Sequence, residues 1–406
     1  MTDIDSPRDT KPDRSTPSLR ERRLGVLRRT GIADKGRNRL LLDDPTPAFY
    51  WIAIITAMFI LLGLVMVLSS SSVTSLHTGS SSWGMFLRQG LWVLLGAGAM
   101  WVTYRMPYEN WRNPFLLGVS TAVVVGMNFM VIATGQLLNG ARAWLDVGPF
   151  RLQPSEFMKV MTVLFCANFL ASRHRSVAIH SVVFVPMVTV LGLTALLCGL
   201  QRDYGSAVIF AGIVIGMMFM ASIPLKYVMS TAGIVAVAGF VLMNVADRAS
   251  ERMFAFLNLE ATKADSGYQV YQALLSIANG GVTGTGIGSG TSKWGYVPLA
   301  HSDFIFAVIA EELGIAGTIL VLGGFLMLVL FAIQVALAAP DMHGAFIAGG
   351  VAVWFGVQAV VNIGGVVGVM PMTGLTLPFL SYGGSSMIAS MAAVGLLLNV
   401  ARYMKK

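Results

Sequence analysis

Between Phe49 and Leu68 the chain runs for 20 residues without a charged side chain. At about 1.5 Å of rise per residue, a helix of that length crosses the roughly 30 Å hydrocarbon layer of a bilayer. Such a layer offers no water to satisfy backbone N–H and C=O groups, so a helix is the form the run must take. Similar apolar runs follow near 84–104, 114–134, 154–172, 179–199, 204–222, 226–245, 304–335, 343–366 and 384–402. The pattern predicts an all-α polytopic membrane protein with ten transmembrane helices. The eighth run is long enough to tilt or to extend beyond the membrane.

Composition agrees. Charged residues make up 12% of the 406 residues, 55% are hydrophobic, and the mean hydropathy is +0.70. A soluble domain carries about 25% charged residues. Residues 1–47 concentrate charge, with 11 Lys/Arg and 8 Asp/Glu, and show no sustained apolar periodicity. They read as a disordered cytoplasmic tail ahead of a membrane domain at 48–402. The net charge of +8 does not call for a nucleic-acid partner, because basic residues at cytoplasmic membrane edges follow from topology. Cys166 and Cys198 both fall in apolar runs, so buried thiols are expected rather than a disulfide. No metal-ligand spacing such as H-E-x-x-H occurs, and no protein metal site is expected.

Basic residues set the orientation. With the tail inside, the alternate connections hold Arg105/Arg112, Arg173/Arg175, Lys226, Asp341 with His343, and finally Arg402/Lys405/Lys406. Four of these five segments are basic, as the positive-inside rule requires, and both termini are cytoplasmic. The outside then receives one long extracytoplasmic loop, 246–302, between spans seven and eight. Loops of that length are usually functional or disordered. Within it Tyr268–Asn279 has helical spacing, with Tyr268, Tyr271, Leu275 and Ala278 on one face, and reads as an interfacial or re-entrant helix. The uncharged stretch Gly364–Gly384 has backbone that cannot face lipid unpaired, so it should line a cavity or pack on protein.

Ionisable residues in or beside spans are costly and therefore candidates for function. Asp303 stands one residue before the apolar run Phe304–Ile309, where a carboxylate either does chemistry at the membrane edge or caps the helix. Glu156 and Lys159, three apart, share a helix face and form either a structural ion pair or a polar wall. Asp203 is a candidate N-cap, and Arg88 either snorkels or faces a cavity. Glu311 and Glu312 lie 8 and 9 residues past Asp303, about 12–13 Å along a continuous helix. That depth suits packing against polar groups of other spans, or a proton relay. The glycine run Gly280–Gly290, followed by Lys293, fits no nucleotide-loop pattern; it reads as a flexible loop or as a backbone cradle for a lipid pyrophosphate.

Four blocks carry a family resemblance: Gly140-Ala-Arg-Ala-Trp144 with Gln153-Pro-Ser-Glu156 and Lys159; Gln201-Arg-Asp-Tyr-Gly205; Lys293-Trp-Gly-Tyr-Val-Pro298 with Ala300-His-Ser-Asp-Phe-Ile-Phe-Ala307 and Glu311-Glu-Leu-Gly314; and Pro371-Met-Thr-Gly374 with Pro378-Phe-Leu-Ser-Tyr-Gly-Gly-Ser-Ser386. The chain resembles the SEDS family, the polytopic glycosyltransferases of cell shape, elongation, division and sporulation. The charged tail and the Leu-Ser-Tyr-Gly-Gly-Ser-Ser-Met segment are more similar to division members than to elongation members. The resemblance implies a peptidoglycan glycosyltransferase that polymerises lipid II in the bacterial cell membrane, at the division septum. It implies a class B penicillin-binding protein, a transpeptidase, and other divisome membrane proteins as partners. It places the catalytic aspartate on Asp303 and cavity-lining positions on Arg88, Arg142, Gln153, Glu156, Lys159 and Asp203. The chain departs from the family at Ala143, Arg202 and Leu299, where arginine, proline and glutamate are common. Glycosyl transfer from a lipid pyrophosphate needs a base for the acceptor hydroxyl and cations for the leaving group. Asp303 suits the base, and Arg88, Arg142, Lys159 and Lys293 are the candidate cations. A divalent cation, magnesium or manganese, would accompany the pyrophosphate without a protein cage. A lipid II flippase remains the alternative from another class, because intramembrane charges and broken helices also suit a transporter.

Overall fold

The computed structural model describes residues 46–77, 83–137, 140–148, 150–173 and 180–404. The charged tail, apart from its last residues, lies outside the described residues, as does the Lys405/Lys406 terminus. Thirteen α-helices are described: α1 Pro47–His77, α2 Trp83–Arg105, α3 Pro114–Thr134, α4 Pro154–Arg173, α5 Val185–Gln201, α6 Tyr204–Met220, α7 Leu225–Val245, α8 Asp247–Leu257, α9 Leu259–Thr262, α10 Tyr268–Gly280, α11 Ile305–Ala338, α12 Met342–Val366 and α13 Gly384–Arg402. Every apolar run read from the sequence coincides with one of them. Eight are long and apolar enough to cross a membrane. The other two of the ten are α6, 17 residues long, and α4, which carries Glu156 and Lys159.

Helices α12 and α13 form the centre, with most of their residues buried, whereas α7 buries few. Large apolar side chains on α7, such as Val237, Phe240 and Val245, are exposed, as a lipid-facing helix requires. The connections α2–α3 and α11–α12 are fastened through Asp341. It accepts hydrogen bonds from Tyr108 Oη at 3.0 Å, Arg112 Nη2 at 2.7 Å and Gly344 N at 2.8 Å. The two cysteines are free and buried, as expected.

Three details differ from the sequence reading. A short antiparallel hairpin, β1 Leu145–Val147 and β2 Phe150–Leu152, pairs Asp146 with Arg151 in an otherwise helical chain. Helix α10 forms where helical spacing predicted it, but its buried face is Ala273, Ser276 and Gly280, while Leu275 and Ala278 are exposed. Small residues win that face because α10 packs closely on α11, which larger side chains would prevent. Finally, the 34-residue α11 is not one straight rod. It breaks at Gly314, whose φ of 63° and ψ of −150° lie outside helical space and suit glycine alone.

That break resolves the glycine-rich segment. The loop after α10 folds back onto the opened turn of α11, where Thr285 N and Gly286 N donate to the carbonyls of Glu311 and Glu312 at 3.0 Å each. The Glu311 carboxylate accepts from Thr291 N at 2.8 Å, Thr291 Oγ1 at 2.6 Å, Ser292 N at 3.1 Å and Asn279 Nδ2 at 3.0 Å. The Glu312 carboxylate accepts from Gly288 N at 3.0 Å and from Ser69 Oγ of α1 at 2.6 Å. The loop's N–H groups do cradle anions, but those anions are the protein's own glutamates and not a pyrophosphate.

Candidate active site

A cleft of about 1270 Å³ opens where the first turns of α4, α6 and α13 converge with the residues preceding α11. Helix N-termini carry unsatisfied N–H groups and the positive end of the helix dipole, so this convergence suits an anionic ligand. The extended segment 371–377 supplies another wall through Met372, Thr373, Gly374, Leu375 and Thr376, as the uncharged stretch before α13 predicted.

Asp303 lines the cleft, and it does not cap its helix. The N-cap of α11 is Phe304, which makes no side-chain capping bond. Instead three consecutive carbonyls of its turn are held from the 362–382 region. Tyr382 N donates to His301 O at 2.9 Å, Ser381 Oγ to Ser302 O at 2.6 Å, and Asn362 Nδ2 to Asp303 O at 3.1 Å. Asn362 also donates to Leu375 O at 2.6 Å, joining that turn to the extended wall. The carboxylate itself closes no ion pair among the described residues. Burial pushes its pKa up to about 6, against the opposing pull of Arg252, a hydrogen bond from Ser302, and Arg248. Partial burial likewise lowers the pKa of His301.

Asp203 is the N-cap of α6. Its Oδ1 accepts from Ser206 N at 3.1 Å, and its Oδ2 gathers Ser206 Oγ at 2.7 Å, Ser155 Oγ at 3.0 Å and Gln153 Nε2 at 3.2 Å. The capping reading therefore holds, and the cap also clamps the start of α4 to the start of α6 at the cleft wall. Gln153 is fixed from α13 as well, its N–H donating to Ser385 Oγ at 2.8 Å.

Glu156 lines the cleft, while Lys159 stands behind it, fully buried. Lys159 Nζ donates to Glu156 Oε1 at 2.7 Å and to Gln358 Oε1 at 3.2 Å, and lies over the Trp354 ring at 5.9 Å. Gln358 Oε1 also accepts from Trp354 Nε1 at 2.6 Å. Lys159 is thus a buried counter-ion and not a cation facing the cleft. Arg88 lines the cleft from α2. Arg142 is exposed on the neighbouring Ala141–Trp144 stretch, tied by its backbone N–H to Gln201 O at 2.8 Å. The side chain of Lys293 lies outside the described residues.

Two cleft residues were not anticipated. Arg248 and Arg252, one helical turn apart on α8, face the cleft. Arg252 Nη1 donates to Thr373 O at 2.8 Å. Burial and the neighbouring Arg248 lower the Arg252 pKa, opposed by Asp303 and Asp203. Two close guanidinium groups in a partly dry wall favour an anion between them and the opposite wall. Their i, i+4 spacing in Asp247–Leu257 was the available signal. Arg202 also lines the cleft, with φ of 58°.

The model of the FtsW/RodA/SpoVE family, described as cell cycle proteins, matches residues 50–406. A probable peptidoglycan glycosyltransferase FtsW of Geobacter metallireducens is 38% identical over 347 residues, covering 84% of this chain and 92% of that protein. Stage V sporulation protein E of Bacillus subtilis is 36% identical over 353 residues, covering 87% and 96%. Among solved structures, a chain of a peptidoglycan synthase complex, described as coordinating polymerization and crosslinking, superposes with a TM-score of 0.68 at 27% identity, covering 87% of this chain and 97% of that one. The rod shape determining protein RodA of Thermus thermophilus superposes with a TM-score of 0.61 at 27% identity, with the same coverage. With its helices, its cleft and its four sequence blocks in one arrangement, the chain belongs to the FtsW/RodA/SpoVE family of multi-pass membrane proteins.

Proposed function

We propose that this protein is a peptidoglycan glycosyltransferase that polymerises lipid II, with Asp303 as general base. The observation that carries the proposal is a carboxylate without an ion pair among the described residues, on a turn held by three consecutive carbonyl contacts, in a cleft walled by helix N-termini and arginines. Asp303 removes the proton from the acceptor sugar hydroxyl. That oxygen attacks the anomeric carbon of the donor sugar, and a new glycosidic bond forms. The bond from this carbon to the pyrophosphate oxygen breaks, and its electron pair leaves with the lipid pyrophosphate. The charge developing there is met by Arg252, Arg248 and Arg88 and by the converging helix dipoles. Gln153, Glu156 and Asp203 shape the opposite wall. A magnesium or manganese ion, where one is used, would accompany the substrate's pyrophosphate.

In the orientation set by the basic residues the cleft opens on the extracytoplasmic face of the bacterial membrane. A crosslinking partner of the class B penicillin-binding type fits the reported coupling of polymerization and crosslinking in the matching complex. The similarity to FtsW proteins favours work at the division septum, alongside other divisome membrane proteins. The test is polymerisation of purified lipid II in detergent, where no sealed membrane exists. Glycan-strand formation by the wild type and none by Asp303→Asn is the expected result. Strands made by Asp303→Asn would refute the base, and no strands from an active, folded wild-type preparation with its partner would favour a transporter.

A further inference from the structure

The long extracytoplasmic loop lines the cleft through several residues, Arg252 among them. Arg252, on α8 of that loop, is latched to Thr373 O at 2.8 Å. The next residue, Gly374, has φ of 74°, and a Cβ placed on it would stand 3.2 Å from Arg252 Nη2 and 3.6 Å from Asp303 Oδ2. The guanidinium and the carboxylate therefore both border the space beside one α-carbon that carries no side chain. One residue further on, the Leu375 carbonyl is bound by Asn362, the same side chain that holds the Asp303 carbonyl. Thr373, Gly374 and Leu375 thus form a short bridge, with the arginine fixed at one end and the aspartate's turn at the other.

We propose that Arg252 is a positioning residue for the base, a fixed cation that keeps the Asp303 carboxylate ionised, and that Gly374 exists to leave the space across which it acts. This inference rests on the reading of Asp303 as base. Asp303 has no direct ion pair among the described residues, and burial raises its pKa. The charges acting on it are Arg252 and, more weakly, Arg248 of the same helix. His301 shares its turn, Tyr382 faces that turn, and Asp203 acts on Arg252 from the other wall. A guanidinium keeps its charge throughout the working pH range, so it provides a constant bias that a histidine would not.

The experiment is the pH–rate profile of lipid II polymerisation by the full-length protein in detergent, between about pH 5 and 9. The base must be ionised, so the rate rises with pH along an acid limb. In Arg252→Gln the favourable charge is gone, and the limb should move to higher pH by about one unit or more. Arg252→Lys keeps the charge, and its limb should stay near that of the wild type. Gly374→Ala adds a Cβ at positive φ 3.2 Å from Nη2, pushes the guanidinium aside by a few tenths of an ångström, and should move the limb in the same direction as Arg252→Gln but by less. An arginine that only anchors the loop, or only touches substrate, would lower the plateau or raise KM and leave the limb in place. An unmoved limb in Arg252→Gln and Gly374→Ala overturns the proposal. Should Arg252→Gln fail to fold, Gly374→Ala against wild type and Arg252→Lys decides it. Activity retained in Asp303→Asn would instead overturn the reading of the base itself, a separate outcome.

Discussion

Lys159 Nζ lies 2.7 Å from Glu156 Oε1, with both side chains at most 2% exposed. The second oxygen, Glu156 Oε2, has no hydrogen-bond partner among the described residues. This asymmetry separates the two oxygens. Oε1 holds the buried lysine, whereas Oε2 is buried at the cleft wall with no such partner of its own.

The pair therefore makes a stability prediction and an activity prediction that differ. Removing one partner of a buried pair strands the other charge and costs about 3–5 kcal/mol. Lys159→Met alone should lower the melting temperature sharply. The double variant Glu156→Gln/Lys159→Met leaves no stranded charge and should recover most of that loss. Its polymerisation should still fall, because an amide no longer offers the cleft a carboxylate. Thermal unfolding and strand formation on the same preparations check both. Full activity in the double variant would reduce the pair to scaffolding.

Topology can be tested with the native cysteines present, since Cys166 and Cys198 are buried. A cysteine at position 263, on the exposed C-cap of α9, should react with an impermeant maleimide added to intact cells. A cysteine at the exposed position 173, at the end of α4, should react only after the membrane is opened. Labelling of position 173 in intact cells would invert or break the ten-span arrangement.

Much of this architecture was legible because a bilayer enforces it. Long uncharged runs have few alternatives to helices, and each run is a helix here. Asp303 was legible because it was a lone carboxylate at the head of an apolar run. What a run does not reveal is where it breaks or what its polar side chains meet. Gly314 looked like any other glycine in a membrane helix, yet it turns α11 aside. The N–H groups at Gly288, Thr291 and Ser292 were visible as an anion cradle, but the anions lie some twenty residues downstream, at Glu311 and Glu312. Only the folded chain brings them together. Arg252 escaped notice for the same reason: its partner Thr373 is 121 residues away.

Glu311 then becomes a structural prediction. Its carboxylate takes four donors, two of them backbone N–H groups. Glu311→Gln substitutes an NH2 for one acceptor oxygen, so at least one backbone donor loses its partner. Each buried donor left unsatisfied costs about 1–3 kcal/mol. The variant should unfold at lower temperature, and protease should cut the 281–292 segment faster. It should also keep the pH dependence of the wild type, because Glu311 serves the loop and not the base. A shifted acid limb in this variant would instead support the proton-relay reading.

The sharpest case is Asp303, where stability and activity should move in opposite directions. Its folded-state pKa is about 6, raised by burial above an ordinary value of 3.8. The folded state therefore binds the proton more tightly than the unfolded state does. Between those two values each rise in pH favours the unfolded chain, and above about pH 6 the full penalty for holding an ionised carboxylate is present. Asp303→Asn removes the ionisation while keeping the shape. At pH 7.5 it should be as stable as the wild type or more so, by about 3 kcal/mol at most. Near pH 4 that advantage should vanish, because the wild-type carboxyl is then protonated when folded. Polymerisation should fall by about 10²–10⁴-fold or more above about pH 6, where the wild-type base is ionised. In the wild type, polymerisation should decline as pH drops through about 6, as the base takes up its proton. Melting temperatures of both proteins across this range, measured beside strand formation, check the argument. A variant that loses stability at neutral pH would show that the carboxylate supports the fold, and that it is not held there at a cost to serve the reaction.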